Sequence, residues 1–330
     1  MGTKKPFRIL CIDGGGVRGV IPAVLLQALE ESSQRPLHEL FDLIVGTSSG
    51  GLIALSVTLP RRFLRSARYT AADLVHFYKH YSKEIFKSDL LRKLATGGGL
   101  WAPKYSRKPL DSILAEFFGD IKLHEALIPV GVPIYSLIEQ KPILVRSRAN
   151  ESLMPHFSTA DIAMACTAAP TYFAPKEFHD FSGKRYLGVD GGIFSNNPQF
   201  MGVAEAYAIN GAVCAEDKAC QVLRREDIQI LSLGTGRVKM SSPVKRLHGA
   251  GVVGWVVNAN LIDMMMSADS DCDNEEMSDI YKNLTRLQID LPEGREAMDN
   301  GSKENMNALI ALANTFLDDN SEALLKFGHG

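Results

Sequence analysis

The feature that most constrains this protein lies near its start, where the apolar run Ile9-Leu10-Cys11-Ile12 breaks off at Asp13-Gly14-Gly15-Gly16. Directly behind it, Val17, Val20, Ile21, Val24, Leu25, Ala28 and Leu29 recur at helical spacing. A buried strand that passes through a glycine turn into a helix is the opening unit of an α/β fold. Such a turn also offers unpaired backbone N–H groups and the positive end of a helix dipole to something negative. Gly14, Gly16 and Gly19 satisfy G-x-G-x-x-G, the dinucleotide fingerprint. The anion is therefore either a pyrophosphate that stays bound or a charge that exists only during a reaction.

Further strand-like runs follow at 42–46, 130–138, 142–147, 186–189, 228–233 and 284–289, with helical patterns between most of them. The alternation predicts a three-layer α/β/α fold around a mainly parallel sheet. Leu74, Phe77, Tyr78, Tyr81 and Ile85 share one helical face, and Leu110, Ile113, Leu114, Phe117 and Phe118 share another. Asn197 and Pro198 read as the N-cap and first position of a helix toward Ile209, and Pro170 closes the helix before it. The stretch 60–108 breaks the alternation. It is helical in pattern, carries Arg61, Arg62, Arg65 and Arg68, and ends near Gly97-Gly98-Gly99, which predicts a helical insertion over one edge of the sheet. No linker separates two units, so one domain over 1–330 is expected.

Composition serves to exclude. A formal charge of −2 gives no general attraction to nucleic acid. Five scattered cysteines argue against a disulfide framework or a structural zinc site, and for a reducing or redox-indifferent compartment. The N-terminus lacks the apolar stretch of a signal peptide, and Pro6 stands where N-myristoylation wants Ser or Thr. The most membrane-like stretch, 249–266, is interrupted by Asn258, Asn260 and Asp263 and reads as a buried or interfacial helix. The expected location is cytoplasmic or peripheral to a membrane, with non-classical secretion left open.

Gly46-Thr47-Ser48-Ser49-Gly50 follows the second strand and is G-x-S-x-G in strand–turn–helix context. This is a nucleophile elbow, with a serine on a strained turn and small residues where strand and helix come close. It gives the first glycine cluster a second reading, as an oxyanion hole built from the Gly15 and Gly16 amides with Ser49 as a further donor. The nucleotide reading needs an acidic ribose ligand at the end of the second strand, whereas Glu39 and Asp42 precede or open that strand. A dinucleotide-binding module remains the rival from another class. For the base, Asp190 ends a strand in YLGVDGGIFSNNP, and catalysts in open α/β sheets gather at the carboxyl ends of strands.

DGGGVRG, GTSSGG, AAPTYFAP, DGGIFSNNP and LSLGTG, in that order, resemble the motifs of the patatin-like phospholipases. Weaker likeness runs through PKYSRKPLDSIL and into NLTRLQID, so the resemblance extends from about residue 7 to 327. It implies a patatin-like fold and a lipid acyl hydrolase of the phospholipase A type. It further implies a Ser-Asp dyad, with no catalytic histidine, metal or cofactor. Carried over by motif, the nucleophile is Ser48, the base Asp190, and the oxyanion loop Gly14, Gly15 and Gly16 with Arg18 and Gly19. Arg18 either orients that loop, lies near an anionic headgroup or forms a surface salt bridge. A carboxylesterase or thioesterase acting on soluble substrates could use the same dyad.

Other signals read as decoys. His248 follows Asp190 in triad order but sits in an ordinary loop pattern. His76 and His80 have the spacing of a zinc pair without the glutamate of a metalloprotease, and read as a polar face. The acidic run from Asp269 departs from a calcium loop and reads as a solvated loop, and Met264–Met266 reads as core or lid packing. A phospholipid substrate requires transient contact with a membrane surface. Leu100, Trp101 and Tyr105, behind the glycine run at 97–99, are the expected interfacial side chains, and Ser49 and Trp101 the expected substrate-binding residues. The alternative for Trp101 is core packing under an ordinary loop.

Overall fold

The structure is a computed structural model that describes residues 5–62, 64–87, 90–148, 156–217, 219–238 and 261–328. In chain order its elements are β1 (Phe7–Ile12), α1 (Val20–Ser33), α2 (Leu37–Leu40), β2 (Leu43–Gly46), α3 (Ser49–Thr58), β3 (Pro60–Arg61), β4 (Leu64–Ala67) and α4 (Ala71–Ile85). Next come α5 (Leu90–Thr96), α6 (Arg107–Phe118), β5 (Val130–Ser136), β6 (Lys141–Arg146), α7 (Thr159–Cys166), β7 (Lys176–His179) and β8 (Arg185–Asp190). The chain continues through α8 (Gln199–Glu216), β9 (Ile228–Leu233), β10 (Arg237–Val238), α9 (Leu261–Ile280), β11 (Leu284–Leu287), β12 (Asp290–Leu291) and α10 (Lys303–Leu325).

Among the described residues the central sheet runs β11-β9-β1-β2-β5-β8-β7, with β6 on β5. From β11 to β5 every pairing is parallel. Alternation along the strands sends side chains to two separate cores. Leu10, Ile12 and Ile44 pack with α1, α3, α4, α6, α7 and α10, while Ile9, Cys11, Leu43 and Val45 pack with Val203 and Ala206 of α8 and Met277 of α9. The three-layer α/β/α expectation holds.

The sheet differs from expectation where the site is built. Strand β8 is antiparallel to β5, so its carboxyl end does not join a parallel row. β6 covers one edge of β5 from Gly131 to Ser136, which leaves β2 and β8 to share the other edge. There β2 pairs at Val130 and Gly131, and β8 at Ile134 to Ser136. The two strands therefore approach end to end, and the turn after Gly46 meets Asp190.

Other local expectations are corrected. The 60–108 stretch opens with the β3–β4 hairpin, and its α4 packs on α1 and α10 within a helical layer rather than over a sheet edge. Helix α8 starts at Gln199, with Pro198 at the cap position and the Asn197 side chain accepting from the Gln199 amide. The acidic run from Asp269 belongs to α9 rather than to a loop, because Met266, Ser270, Met277 and Tyr281 bury one helical face beneath it. One disulfide is present, Cys214–Cys220, where the scattered cysteines argue against a disulfide framework. The turn after α8 brings the two Cα atoms to 4.9 Å, inside bridging range. His248 and 249–260 of the membrane-like stretch lie outside the described residues. Among the described residues no helix is long and apolar enough to cross a membrane, and no His/Cys/Asp/Glu group could hold a metal ion.

Candidate active site

Ser48 sits between β2 and α3 with φ 54° and ψ −120°, a backbone conformation that costs about 1–3 kcal/mol and persists only where the surroundings impose it. The imposition is visible at the flanking glycines. A Cβ on Gly46 would lie 2.1 Å from the Gly50 carbonyl oxygen, and one on Gly50 would lie 2.3 Å from that of Ile12. The Thr47 hydroxyl donates to the Ser195 carbonyl at 2.8 Å, which ties the elbow to the turn after β8.

Ser48 Oγ donates to Asp190 Oδ2 at 2.5 Å, while Asp190 Oδ1 accepts from the Gly192 amide at 2.8 Å. The carboxylate is thus fixed on one side and engaged with the serine on the other. Burial pushes its pKa up to about 6, and the bonds from Ser48 and Gly192 hold it back from rising further. Cys166 Sγ lies 3.7 Å from the Ser48 carbonyl oxygen, but burial and the nearby Asp190 hold its thiol well above the usual range, so it offers no thiolate.

The first glycine turn lies against this pair, and a Cβ on Gly14 would come within 3.1 Å of Ser48 Cβ. Its amides are already divided. Gly14 donates to the Asn196 carbonyl, Val17 to Met298 and Arg18 to Gly15. Among the described residues the Gly15 and Gly16 amides have no acceptor. Gly16 has φ +57°, and a Cβ there would meet the Met298 carbonyl oxygen at 2.2 Å, so only glycine fits the turn. Arg18 is buried and its Nε donates to the Gly15 carbonyl, which excludes the surface salt bridge. Gly19 lets the Tyr78 hydroxyl approach, and that hydroxyl donates to the Ser49 carbonyl at 3.1 Å. The Ser49 hydroxyl is buried, with no partner among the described residues.

Sequence reasoning missed the supports of this loop. Asp13 is buried and paired in two places with the Arg286 guanidinium of β11, which also bonds Ser232 and Ser270. The Thr235 hydroxyl holds the Gly14 carbonyl at 2.6 Å. A lone arginine within the strand pattern NLTRLQID was the available signal, since a charge in a parallel strand needs a buried partner.

Ser48 and Asp190 open into an apolar pocket walled by Leu52, Phe77, Tyr78, Phe86, Leu110 and Phe173, with Met266 and Met298 beside the glycine turn. Trp101 does not line it. Its side chain is 82% exposed, so it is no core residue. The segment around it runs along the pocket rim, where the Lys104 and Tyr105 amides bond the Thr171 and Tyr172 carbonyls. Tyr105, expected at an interface, is buried instead and donates its hydroxyl to Asp299. His76 and His80 are exposed on α4 as a polar face. Asp42, at the opening of β2, accepts from the Arg8 amide.

The patatin-like phospholipase profile matches residues 10–201. Patatin-like protein 2 of Oryza sativa subsp. indica is 31% identical, over 98% of this chain and 87% of its own. Patatin-like protein 2 of Arabidopsis thaliana is 31% identical over 94% and 82%, and Patatin-04/09 of Solanum tuberosum 29% over 95% and 84%. Among solved structures, VipD from Legionella pneumophila gives a TM-score of 0.36 at 12% identity over 94% of this chain and 67% of its own, too low to add to the sequence relatives. With a profile match over more than half its length and relatives of this identity and coverage, the chain belongs to the patatin-like phospholipase family and is a hydrolase of the patatin type.

Proposed function

We propose that the protein is a lipid acyl hydrolase of the phospholipase A type that works through Ser48 and Asp190. The observation that carries this reading is the 2.5 Å bond from Ser48 Oγ to a buried carboxylate at the wall of an apolar pocket. Asp190 takes the hydroxyl proton as Oγ attacks the acyl carbonyl. Its raised pKa makes it a stronger base than an exposed aspartate while leaving it mostly ionised near neutral pH. The developing oxyanion draws on the amides of Gly15, Gly16 and Ser49, and removing one such donor typically costs about 2.7–4 kcal/mol of barrier. Asp190 returns the proton to the departing alkoxide, and water repeats the attack on the acyl-enzyme.

Access follows the pocket rim. Leu94, Leu100 and Trp101 are exposed apolar side chains of the 90–105 segment, with Trp101 suited to the water–membrane boundary. In this reading they rest on the bilayer while an acyl chain enters beside Tyr172. A fluorophosphonate is expected to label Ser48, and not the Ser48→Ala protein, with NAD and ATP failing to block it. Labelling at another residue, or protection by micromolar nucleotide, would remove the reading. Trp101→Ala is expected to slow hydrolysis of phospholipid vesicles more than that of a soluble short-chain ester. An equal loss on both removes the membrane contact, and wild-type turnover of the soluble ester alone favours the carboxylesterase.

A further inference from the structure

The cleft between α4 and α6 holds two chambers in line. The catalytic one takes Phe77, Tyr78 and Ile85 from α4 and Leu110 from the start of α6, around a cavity of about 70 Å³. The second is an outer groove of about 510 Å³, with Phe77 and Tyr81 of α4 and Ile113 and Phe117 further along α6 at its base and a polar rim that includes Arg68, Asp73 and Glu116. Phe77 is the side chain common to both. It is 6% exposed, so it stands as a partition and not as a surface residue. Phe117 and Tyr81 brace its ring, with centroids at 4.9 and 5.1 Å. At about 1.5 Å per helical residue, Ile85 and Phe77 stand roughly 12 Å apart along α4.

We propose that Phe77 is the end wall of the acyl chamber and sets the longest acyl chain the protein accommodates in full. The inference rests on the acyl-hydrolase reading and names its specificity. Each methylene buried inside the chamber contributes about fourfold in affinity or in kcat/KM. A methylene that meets a braced ring contributes nothing, because a packed wall does not yield to one more carbon. A plot against chain length therefore rises and then breaks. Shortening residue 77 joins the chamber to the groove and moves the break outward.

The test uses saturated fatty acids of increasing length, followed by calorimetry, and the matching p-nitrophenyl esters, followed by kcat/KM. Phe77→Leu is expected to move the break to longer chains, and Phe77→Ala to move it further. In Phe77→Ala an ester two methylenes beyond the wild-type break gains about fifteenfold over one at the break. Glu116→Ala, which alters the outer groove without touching the ring, leaves the break in place. An unmoved break in folded Phe77→Leu overturns the assignment, and that variant decides alone if Phe77→Ala does not fold. Fatty-acid binding does not depend on turnover. A break that moves in binding while no ester is cleaved keeps the wall and removes the hydrolase reading; cleavage with an unmoved break does the reverse.

Discussion

Gly14–Gly16 and Gly97–Gly99 are the same tripeptide in two opposite settings. Beside Ser48, a methyl on Gly14, Gly15 or Gly16 would come within 2.5, 2.2 or 2.2 Å of Asn196, Thr235 or Met298. At the pocket rim, a methyl on Gly98 would meet no atom within 4 Å, one on Gly97 would meet the indole of Trp101, and one on Gly99 would come no closer than 3.2 Å, to the Thr171 carbonyl oxygen. All three rim glycines have positive φ, against Gly16 alone in the first run. The first run is glycine because other chain segments crowd it; the second is glycine because its own backbone turns. Donors that must face a transient charge without reorganising require the crowded setting. A segment that, in the proposed reading, rests on a lipid surface does not.

The crowded region should lose most when its chemistry is removed. Ser48→Ala and Asp190→Asn are each expected to lower ester turnover by about 10⁴-fold or more, with the double variant losing little beyond either, since residues acting as a unit are not additive. Turnover measured alongside unchanged circular dichroism checks this. Near-normal turnover in Asp190→Asn would detach the carboxylate from the chemistry and reduce the first glycine run to packing.

Next in size is the crowding itself. In Gly16→Ala the methyl meets the Met298 backbone, which is also the acceptor for the Val17 amide, so the turn itself must shift. The expected fall is about 10²–10³ in kcat, comparable to losing one oxyanion donor, with KM little changed. Burst kinetics separate acylation from substrate binding. A variant within a few-fold of wild type would show that the loop tolerates displacement, and the contrast between the two runs would fail.

That contrast also marks how far the sequence could be read. Ser48, Asp190 and the glycine turn were legible because each lies in a local motif whose shape follows from its own residues. What surrounds them was not. Arg286 reaches Asp13 across 273 positions, and no local pattern pairs them. The antiparallel run of β8 was invisible because strand direction is decided by neighbours, and the inference that put Asp190 near Ser48 reached the right place from a wrong premise. Cys214 and Cys220 escaped because a helix end and the turn after it set their approach. Trp101 and Tyr105 show the same limit on the rim. They are four residues apart in one aromatic-rich stretch, yet one is exposed and the other buried against Asp299.

A smaller effect belongs to Asp190 as a base. In the proposed mechanism this carboxyl accepts the Ser48 proton only when ionised, and burial raises its pKa to about 6. As pH falls through that value the active form is lost, so kcat/KM should be level above about pH 7 and drop about tenfold per pH unit well below 6. A profile on a soluble ester, with folding checked at each pH, reads the inflection. An inflection near the ordinary aspartate value of 3.8 would mean that the pocket wets the carboxylate during turnover. The difference between a dry catalytic edge and a solvated rim would then narrow.

The smallest effect is expected at Gly98, and its size is what makes it informative. Alanine there must hold φ near +66°, which costs an L-residue roughly 1–2 kcal/mol, but it collides with nothing. The cost falls on the local turn. Gly98→Ala should therefore keep turnover of a soluble ester within about twofold of wild type, with the melting midpoint lowered by no more than about 2–4 °C. Chemistry and stability, measured on one preparation, separate the two settings: Gly16→Ala loses rate from displaced backbone, Gly98→Ala loses only a little stability. If Gly98→Ala instead lowers kcat as Gly16→Ala does, the rim is coupled to the oxyanion turn. The route would then run through Lys104 and Tyr105 to Asp299, whose neighbour Met298 accepts from the Val17 amide.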